Sequence, residues 1–267
     1  MNVVITGASA GIGRALAAEF ARKGHAVLAV GRREERLREL SREAEECRAA
    51  PIACLAADIT APGAPGAVLE EAVRVFGKAH ILINNAAMSP YREFRDLHPR
   101  HLAQIIALNV RALTELCQVF LPHMLAHGEP GRVVNVGSVG SYAPLTKFAA
   151  YDASKHYVRI LTNMLNREYR TTNVRVCGLY PGGTLTEFPA LAGQRPKPLA
   201  RLAMHTPEQV ARTAYPAILA GRRVIIPGLA NQFAVLCGKV LPFPIAVRLM
   251  ELIYGMGVEQ VETTYPL

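Results

Sequence analysis

Short apolar runs alternate with longer amphipathic stretches along most of the chain. The apolar runs are rich in Val and Ile and cover residues 2–6, 26–30, 52–56, 81–83, 132–136, 174–179 and 223–226. Runs of this length and composition predict strands that are buried on both faces of a sheet. The amphipathic stretches predict helices over 12–23, 34–48, 64–76, 99–127, 150–170 and 207–220. Strict alternation favours one α/β domain, with a parallel sheet covered by helices on both faces and right-handed crossovers.

The last of these helices has a clear start signal. Thr206 is the predicted N-cap, Pro207 occupies the first helical position, and Gln209 completes a capping box. Pro216 lies inside the predicted helix and is expected to kink or shorten it.

The first predicted strand runs into a glycine-rich loop, Thr6-Gly7-Ala8-Ser9-Ala10-Gly11-Ile12-Gly13, which opens the first helix. Gly7 permits a tight turn, Gly11 allows backbone to approach a pyrophosphate, and Gly13 permits close packing of helix on strand. Free N–H groups at the start of the helix would then face the anion. The alternative is a glycine-rich turn that binds nothing, since the motif alone is weak.

The end of the second strand indicates which dinucleotide this loop would bind. An acidic residue commonly holds the ribose 2′-hydroxyl at this point, but the chain has Gly31 there, followed by Arg32 and Arg33. A guanidinium can clamp a 2′-phosphate with two hydrogen bonds, so Arg32 predicts NADP(H). The alternative is that both arginines simply begin the charged surface of the next helix, and Arg33 fits that description well.

Polar residues also follow the later strands. Asn84-Asn85-Ala86 follows the fourth strand, Gly137-Ser138 follows the fifth, and Tyr151 and Lys155 share one face of the next helix. Ligands of such a sheet bind beyond the carboxyl ends of its strands, so these residues are expected to lie at one site. Asp58, after the third strand, fits a turn residue, a helix cap or a contact to an adenine amino group.

Taken together and in order, these motifs resemble the short-chain dehydrogenase/reductase family, with Asn109 in the long fourth helix and Pro181-Gly182 after the sixth strand completing the set. The likeness extends to about residue 230. It implies a Rossmann-type doubly wound, mostly seven-stranded parallel sheet, followed by a C-terminal helical extension over 231–267. Thr184, Ala87 and His80 depart from the residues most usual in the family.

The resemblance assigns a role to each residue of a catalytic set. Tyr151 is the general acid/base, Lys155 its activator, Ser138 a hydrogen-bond donor to the substrate carbonyl, and Asn109 a support for proton relay. A phenol is a poor base at neutral pH, but a neighbouring ammonium favours its ionised form. Lys155 is also expected to hold the nicotinamide ribose. Ser141 competes with Ser138 for its role, although the 13-residue separation of Ser138 from Tyr151 is the usual one.

Simpler interpretations of these residues stay open. Tyr151 and Lys155 could be an ordinary aromatic–cation pair on a helix surface, and Asn109 a satisfied amide of the core. The resemblance also implies the residues that bind the cofactor, some of which belong to the catalytic set as well. They are Gly7, Ser9, Gly11, Ile12, Gly13, Arg32, Asp58, Ile59, Asn85, Ala86, Tyr151, Lys155, Pro181, Gly182, Thr184 and Thr186.

Composition narrows the picture further. The chain has 267 residues, 51% of them hydrophobic, and a net charge of +9. Between 190 and 250 there are eight Lys or Arg and one carboxylate, Glu208. With no Trp and no nucleic-acid-binding module, an anionic cofactor or substrate, or an anionic membrane surface, explains this bias better than nucleic acid. Five dispersed cysteines indicate a reducing compartment, and the scattered histidines predict no metal site.

The chain lacks an uninterrupted apolar run of spanning length and a secretory signal pattern, so a cytoplasmic location is expected, with membrane-peripheral attachment as a possibility. Residues 187–205 are the predicted substrate lid, with apolar walls and a basic rim that suit a hydrophobic ketone or an acyl chain. The extension at 231–267 is expected to cover the substrate mouth, pack on a partner subunit or lie on a membrane.

The sequence therefore predicts an NADPH-dependent oxidoreductase that reduces a ketone or aldehyde, or oxidises the corresponding alcohol. The resemblance also implies a homodimer or homotetramer formed through the two long helices that carry Asn109 and Tyr151. The alternative function is a non-catalytic NADP(H)-binding sensor or scaffold with the same fold. An epimerase or dehydratase of the extended branch is disfavoured, because those chains are normally longer.

Overall fold

The computed structural model describes residues 1–202, 204–255 and 257–265 of the chain. Its central sheet contains seven strands, and two further strands form a separate ribbon. In chain order the strands are β1 (Asn2–Thr6), β2 (Ala26–Gly31), β3 (Ile52–Ala56), β4 (Ile81–Asn84), β5 (Gly131–Val136), β6 (Val174–Leu179), β7 (Gln194–Pro196), β8 (Val224–Ile225) and β9 (Val258–Gln260). All seven strands predicted from the apolar runs are present, with ends that differ by one residue or none.

Every helical stretch predicted up to residue 220 is present, although the stretch over 99–127 contains two α-helices. Four further helices, two in the lid and two in the C-terminal extension, had no predicted bounds. In chain order the helices are α1 (Gly11–Arg22), α2 (Glu34–Glu46), α3 (Ala64–Phe76), α4 (Pro99–Ile105), α5 (Leu113–Ala126), α6 (Ala149–Glu168), α7 (Glu187–Ala192), α8 (Pro198–Leu202), α9 (Pro207–Leu219), α10 (Leu229–Val240) and α11 (Phe243–Gly255). The capping box of α9 is formed as predicted. Pro216 does not shorten α9, which continues through it to Leu219.

The seven-stranded sheet has the order β3-β2-β1-β4-β5-β6-β8, and every pair in it is parallel. Val4 of β1 lies between Leu28 of β2 and Leu82 of β4. The chain builds outward from β1 in one direction and then returns to β4 on its other side. The resulting crevice beyond the carboxyl ends of β1 and β4 is the ligand-binding position of a doubly wound sheet, and the predicted fold class is confirmed.

Each face of the sheet carries its own hydrophobic core. Val3 and Ile5 of β1 point to the layer formed by α1, α2 and α9, whereas Val4 points to the layer formed by α3, α5 and α6. This split follows from the alternation of side chains along a strand. Because both faces are covered, β1 has no polar side chain between Asn2 and Thr6.

The predicted single helix over 99–127 is interrupted. Between α4 and α5 the backbone forms a π-helical segment, Ile106–Ala112, and this segment carries Asn109. Insertions of this kind are frequent at functional sites, because they redirect a side chain without ending the helix. By length and composition the whole stretch, Pro99–Ala126, is apolar enough to span a membrane. Leu116 and Phe120 of α5 are instead fully buried in the core under the sheet.

The C-terminal part returns to the body of the protein. β9 pairs antiparallel with β7, inside the predicted lid. The lid contains α7 and α8, and the helical extension begins at Leu229, two residues before its predicted start. Residue 203 of the predicted lid and residues 256, 266 and 267 of the predicted extension lie outside the described part of the chain, as do the side chains of residues 199, 202 and 253–255.

Candidate active site

The loop after β1 has the geometry of a phosphate cradle. Gly7 and Gly11 adopt φ angles of +68° and +55°, a region that favours glycine. A Cβ atom at Gly13 would lie 2.4 Å from the Gly7 carbonyl oxygen, so α1 approaches β1 as closely as the motif predicts. Ala10, the residue before α1, provides no side-chain cap. The first N–H groups of α1 are therefore oriented to receive an anion.

The loop after β4 is fastened to this cradle. Asn85 donates through Nδ2 to the carbonyl oxygens of Thr6, at 2.9 Å, and of Gly7, at 3.3 Å. The Thr6 hydroxyl in turn accepts from the backbone N–H groups of Asn85 and Ala86. The Asn85 side chain thus holds two loops together at the crevice, and its backbone and that of Ala86 line the crevice.

The basic residues after β2 occupy different places. Arg32 is exposed, and its charge contributes to the lowered pKa of Asp58. Burial acts to raise that pKa, but hydrogen bonds from the hydroxyl and N–H of Thr60 prevail. Asp58 therefore closes a turn onto Thr60 in this structure. The adjacent Ile59 is buried in the core.

Arg33 does more than open a surface helix. Its Nε donates to the hydroxyl of Ser9 in the glycine loop, at 3.4 Å, and its Nη1 pairs with Glu187 of α7, at 2.8 Å. Arg36 adds a second contact to Glu187 at 3.4 Å. The two arginines therefore connect the start of α2 to the lid across the mouth of the crevice. Local sequence predicts only a charged surface position for Arg33, because its partner Glu187 is 154 residues away in the chain.

Tyr151 and Lys155 lie on the inner side of α6, at the carboxyl end of β5. Lys155 is buried, and its Nζ donates to the carbonyl oxygen of Val136 at 2.8 Å. The same Nζ is 5.7 Å from the centre of the Tyr151 ring. Burial lowers the pKa of Lys155 to about 8. Because a buried lysine is not an ordinary surface partner, the structure favours a paired functional role for these two residues over a helix-surface contact.

Ser138 stands directly after β5 in a short loop that packs on α6. Its hydroxyl accepts from the Gly140 N–H at 3.1 Å, and its carbonyl accepts from the Ser141 hydroxyl at 2.6 Å. Ser141 is fully buried, with its hydroxyl directed back into the loop, whereas Ser138 is half-buried. This placement favours Ser138 over Ser141 as the serine that meets a substrate.

Asn109 links the β4 loop to the helix that carries Tyr151. Its Oδ1 accepts from the Met88 N–H at 3.0 Å, and its Nδ2 donates to the Met88 carbonyl at 2.9 Å and to the Ser154 hydroxyl at 3.1 Å. The Ser154 hydroxyl then donates to the Tyr151 carbonyl at 2.6 Å. Asn109 is thus a satisfied core amide, and its bonds also fix the backbone of the predicted catalytic tyrosine.

Asp152 is a residue that sequence reasoning missed. It is buried, accepts from the Leu145 N–H at 2.8 Å, and ties α6 to the loop that contains Ser138. A Cβ atom at Gly140 would lie 2.3 Å from its Oδ1, so this loop approaches the carboxyl closely. Burial raises the pKa of Asp152 to about 7, although the hydrogen bond from Leu145 acts in the opposite direction. The sequence feature that could have identified it is a carboxylate directly after Tyr151 in a predicted helix.

The loop after β6 closes the crevice from the other side. The Pro181 carbonyl accepts from the Val139 N–H at 3.0 Å, which joins this loop to the serine loop. Thr184 donates to the Gly182 carbonyl at 3.0 Å. Thr186 caps α7 by accepting from the Phe188 N–H, and its methyl group is in close contact with Gly11. These contacts bring the predicted cofactor residues of the first and sixth strand ends together.

Aromatic side chains surround Tyr151 on the substrate side. Its ring centre lies 5.5 Å from that of Phe148 and 5.9 Å from that of Phe188 in the lid. Tyr91 stacks on Phe148 at 4.9 Å. A small cleft beside Tyr151 is lined by apolar residues, with Arg92 and Lys147 among its walls. Of these residues only Phe188 lies in the lid on which the sequence-based substrate prediction rested.

The C-terminal strand and the residues after it form a strap that holds the lid. Val261 donates its N–H to the Gly193 carbonyl at 2.9 Å, and Thr264 donates its N–H to the Leu191 carbonyl at 3.1 Å. Tyr265 is half-buried, and its hydroxyl accepts from the Ser89 N–H at 3.4 Å. No periodic pattern predicts this strap, because its hydrogen bonds are to residues far away in the chain.

The residues of the crevice fit a dinucleotide. The glycine cradle and the uncapped start of α1 suit its diphosphate. Lys155 presents a buried ammonium beside Tyr151, where a nicotinamide ribose would be held. Arg32 lies exposed at the end of β2, where the adenosine ribose belongs in such a sheet.

A doubly wound sheet with a glycine cradle, and with a buried lysine beside a half-buried tyrosine at its switch point, defines a dinucleotide-dependent oxidoreductase. The profile of the short chain dehydrogenase family matches residues 1–196, and the chain belongs to that family. It is 35% identical over 188 residues to sulfoacetaldehyde reductase 2 of Chromohalobacter salexigens, which covers 70% of this chain and 73% of that protein.

Solved structures agree with this assignment. A short-chain dehydrogenase from Sphingobium yanoikuyae in complex with NADPH is similar over 100% of this chain and 98% of its own, with a TM-score of 0.78 and 29% identity. A 3-ketoacyl-(acyl-carrier-protein) reductase from Brucella melitensis, complexed with NADH, covers 84% of this chain and 95% of its own, with a TM-score of 0.73 and 26% identity. The chain is therefore a nicotinamide-dependent oxidoreductase that acts on alcohols or carbonyl compounds.

The close packing at Gly13 generates a test of the cradle. We expect Gly13→Ala to destabilise the protein by about 1–3 kcal/mol, because the new methyl group overlaps the Gly7 carbonyl and the Asn85 amide. The matched control is Gly66→Ala in α3, where a methyl group meets nothing within 4 Å. This control should be neutral or stabilising, since alanine favours a helix. Thermal unfolding of the two variants measures the difference, and equal effects would contradict the packing.

The buried carboxyl of Asp152 generates a second test. An unfolded aspartate has a pKa near 4, whereas the folded value is about 7. The folded protein therefore binds this proton more tightly, and the favourable contribution is lost as the pH rises from about 4 to about 7. Asp152→Asn keeps an oxygen that can accept from Leu145 and carries no charge. Its stability relative to the native protein should increase over this range by a few kcal/mol, on the order given by the shift, and then level off.

Unfolding of both proteins followed from about pH 4 to about pH 8 measures this dependence. A constant difference between them across the range would contradict the burial of an ionisable carboxyl at this position.

Proposed function

We propose that this protein is an NADPH-dependent reductase of a ketone or aldehyde with an apolar or acyl-type substituent, or the dehydrogenase of the corresponding alcohol. The observation that carries the proposal is the buried Lys155 ammonium, 5.7 Å from the centre of the Tyr151 ring, which packs against Phe148 and Phe188. When bound, the nicotinamide supplies or accepts the hydride. Proton transfer and stabilisation of charge are the roles of this protein's own side chains.

In the direction of reduction, Tyr151 gives the proton of its hydroxyl to the substrate oxygen as that oxygen becomes an alcohol. The Ser138 hydroxyl donates a hydrogen bond to the same oxygen and stabilises its developing negative charge. The Lys155 ammonium stabilises the phenolate that remains on Tyr151. Asn109 keeps the tyrosine in place through Ser154. In the direction of oxidation the same groups act in reverse, and the Tyr151 phenolate accepts the alcohol proton.

The preference for NADPH rests on the end of β2. Gly31 replaces the carboxylate that would repel a 2′-phosphate, and Arg32 follows it with an exposed guanidinium. The relative from Sphingobium yanoikuyae is described with NADPH and the one from Brucella melitensis with NADH. Arg32 is the feature of this chain that supports the phosphorylated form.

The preference for an apolar or acyl-type substrate rests on the side chains that surround Tyr151. Phe148, Phe188 and Tyr91 supply apolar surface around Tyr151, and Arg92 and Lys147 supply positive charge. The description of the Brucella melitensis relative as a 3-ketoacyl reductase is consistent with a substrate of this type. An acyl chain attached to an anionic carrier would satisfy both kinds of wall.

We also propose a homodimer or homotetramer in a reducing, cytoplasmic compartment. The outer surface of the two long helices presents large apolar side chains, among them Ile106, Ile160 and Met164. Burial raises the pKa of the Cys117 thiol to about 12 and that of Cys177 to about 11, which keeps both thiols inert. The mass of the protein in solution tests the assembly.

Tyr151→Phe tests the mechanism. We expect the variant to bind NADPH normally and to lose about 10²- to 10⁴-fold in turnover of the best carbonyl substrate, since it lacks the acid. The matched control is Tyr157→Phe on the same helix, whose hydroxyl contacts Thr114 and is far from the cleft along α6. NADPH absorbance, followed with a panel of 3-oxoacyl thioesters and simple neutral ketones, measures both variants. Equal rates in Tyr151→Phe and the native protein would refute the mechanism.

If neither protein turned over any member of the panel while NADPH still bound, a sensor or scaffold role would replace the catalytic one. Thioesters that reacted no better than neutral ketones would refute the acyl part of the substrate proposal.

Arg32→Asp tests the choice of cofactor. Loss of a charge-assisted clamp and gain of a carboxylate should weaken NADPH by about 10- to 100-fold and NADH little. The control is Arg33→Asp, which breaks the contact with Glu187 in the lid and should affect both cofactors alike. Titration of each protein with NADPH and NADH, followed by fluorescence, measures the affinities. A greater loss for NADH in Arg32→Asp would overturn the assignment.

A further inference from the structure

The outer face of α10 is apolar and uncovered in the described part of the chain. Leu229, Phe233, Leu236 and Val240 are between 55% and 83% exposed. They follow one another at steps of four, three and four residues, which places all four on one side of the helix. We name this row of side chains the α10 stripe. A surface helix usually carries polar residues on its outer face, so the stripe requires an apolar partner.

The opposite face of α10 is already used. Val235 is buried in a small cluster with Tyr142 and Tyr180. A Cβ atom at Gly238 would lie 2.4 Å from the carbonyl oxygen of Tyr142, so the helix rests directly on the loop that follows Ser138. The contacts of the inner face therefore fix the rotation of α10 about its axis. This rotation is what exposes the stripe to solvent.

The apolar surface continues into the next helix. Phe243 is 66% exposed and begins α11, three residues after Val240 in the chain. With Pro244, Val247, Arg248 and Glu251 it lines a shallow groove on α11. The stripe on α10 and the groove on α11 together expose more apolar area than a single exposed residue would.

The charge around this surface identifies the partner. From residue 209 to residue 251 the chain has five Lys or Arg and one carboxylate, Glu251, which lines the groove beside Arg248. Lys239 of α10 and Arg248 of α11 are exposed, and the Lys239 ammonium lies 5.2 Å from the centre of the Tyr142 ring. Helices with an apolar face flanked by basic residues bind the interface of membranes that contain anionic lipids. In a two-fold contact between copies of this chain, the same cations would approach one another and oppose association.

We propose that the α10 stripe and Phe243 dock this protein on the surface of an anionic lipid bilayer. The docking surface also adjoins the active-site mouth. Asn231 of α10 contacts Gly182, and Gly238 contacts the loop that follows Ser138. Resting on the proposed function, this arrangement lets an apolar carbonyl substrate pass from the lipid phase to Tyr151 along α10. The docking itself does not require turnover.

Vesicle flotation of the full-length protein tests the proposal. We expect the native protein to float with mixed phosphatidylcholine–phosphatidylglycerol vesicles, less with phosphatidylcholine alone, and less again as salt is added. Phe233→Glu with Leu236→Glu should weaken binding to the mixed vesicles by about a hundredfold, because two apolar anchors are lost and two charges are gained. Neither residue belongs to the catalytic set, so turnover of a water-soluble ketone should stay unchanged.

The matched control is Val73→Glu with Val75→Glu in α3. These side chains are 36% and 37% exposed, and the double variant changes the net charge by the same amount on another surface. It should float as the native protein does. Thermal unfolding of both double variants confirms that they are folded.

Several results would overturn the proposal. They are absence of native flotation, equal flotation of the α10 double variant, or an equal loss in the α3 control. Equal binding to both vesicle types would overturn the anionic requirement. A native protein that does not float, and that has a larger mass in solution than the α10 double variant, would identify a second copy as the occupant. Because flotation is read without substrate, these results are separate from failure of the proposed catalytic function.

Discussion

The junction between the loops after β1 and β4 is the contact on which the rest of the site depends. Asn85 bonds to the carbonyl oxygens of Thr6 and Gly7, and the absent side chain of Gly13 lets α1 approach to that same point. Strand order reverses here, so the two loops part above the junction and leave a crevice. Without the junction, no hydrogen bond of Asn85 would hold the start of α1 in a defined position relative to the end of β4. The cradle for the diphosphate and the catalytic groups would then be set independently.

A second set of bonds connects this junction to the chemistry. The π-helical segment Ile106–Ala112 directs Asn109 inward. There its side chain accepts a hydrogen bond from Met88 and donates one to Ser154. Asp152 fastens the same helix to the serine loop through Leu145. Tyr151 is therefore fixed from two directions by neighbours that do not touch the substrate. Preorganised donors of this kind need no rearrangement when charge develops on a reacting oxygen.

The outer parts of the protein are held less extensively than the residues around Tyr151. The lid, the strap and α10 are joined to the body by individual backbone hydrogen bonds and small contacts, and they surround the mouth of the cleft. Loops that carry specificity on a rigid scaffold are common in α/β enzymes. In this chain they contribute Phe188 beside Tyr151, Glu187 across the mouth and the apolar stripe on α10. The residues that carry the chemistry and the residues that surround the substrate position thus reside in separate parts of the molecule.

Elements whose signals are local could be predicted from the amino-acid sequence. Buried strands such as Val174–Leu179, the capping box at Thr206 and the glycine loop at Gly7 each follow from neighbours within a few residues, as does the Tyr151–Lys155 pair on one helix face. Contacts between distant segments became known from the folded structure alone. The bridge from Arg33 to Glu187, the pairing of β9 with β7 and the interruption of the long helix at Asn109 have no periodic signal. Such contacts depend on which surfaces the folded sheet brings together, and local patterns of polarity contain no record of that.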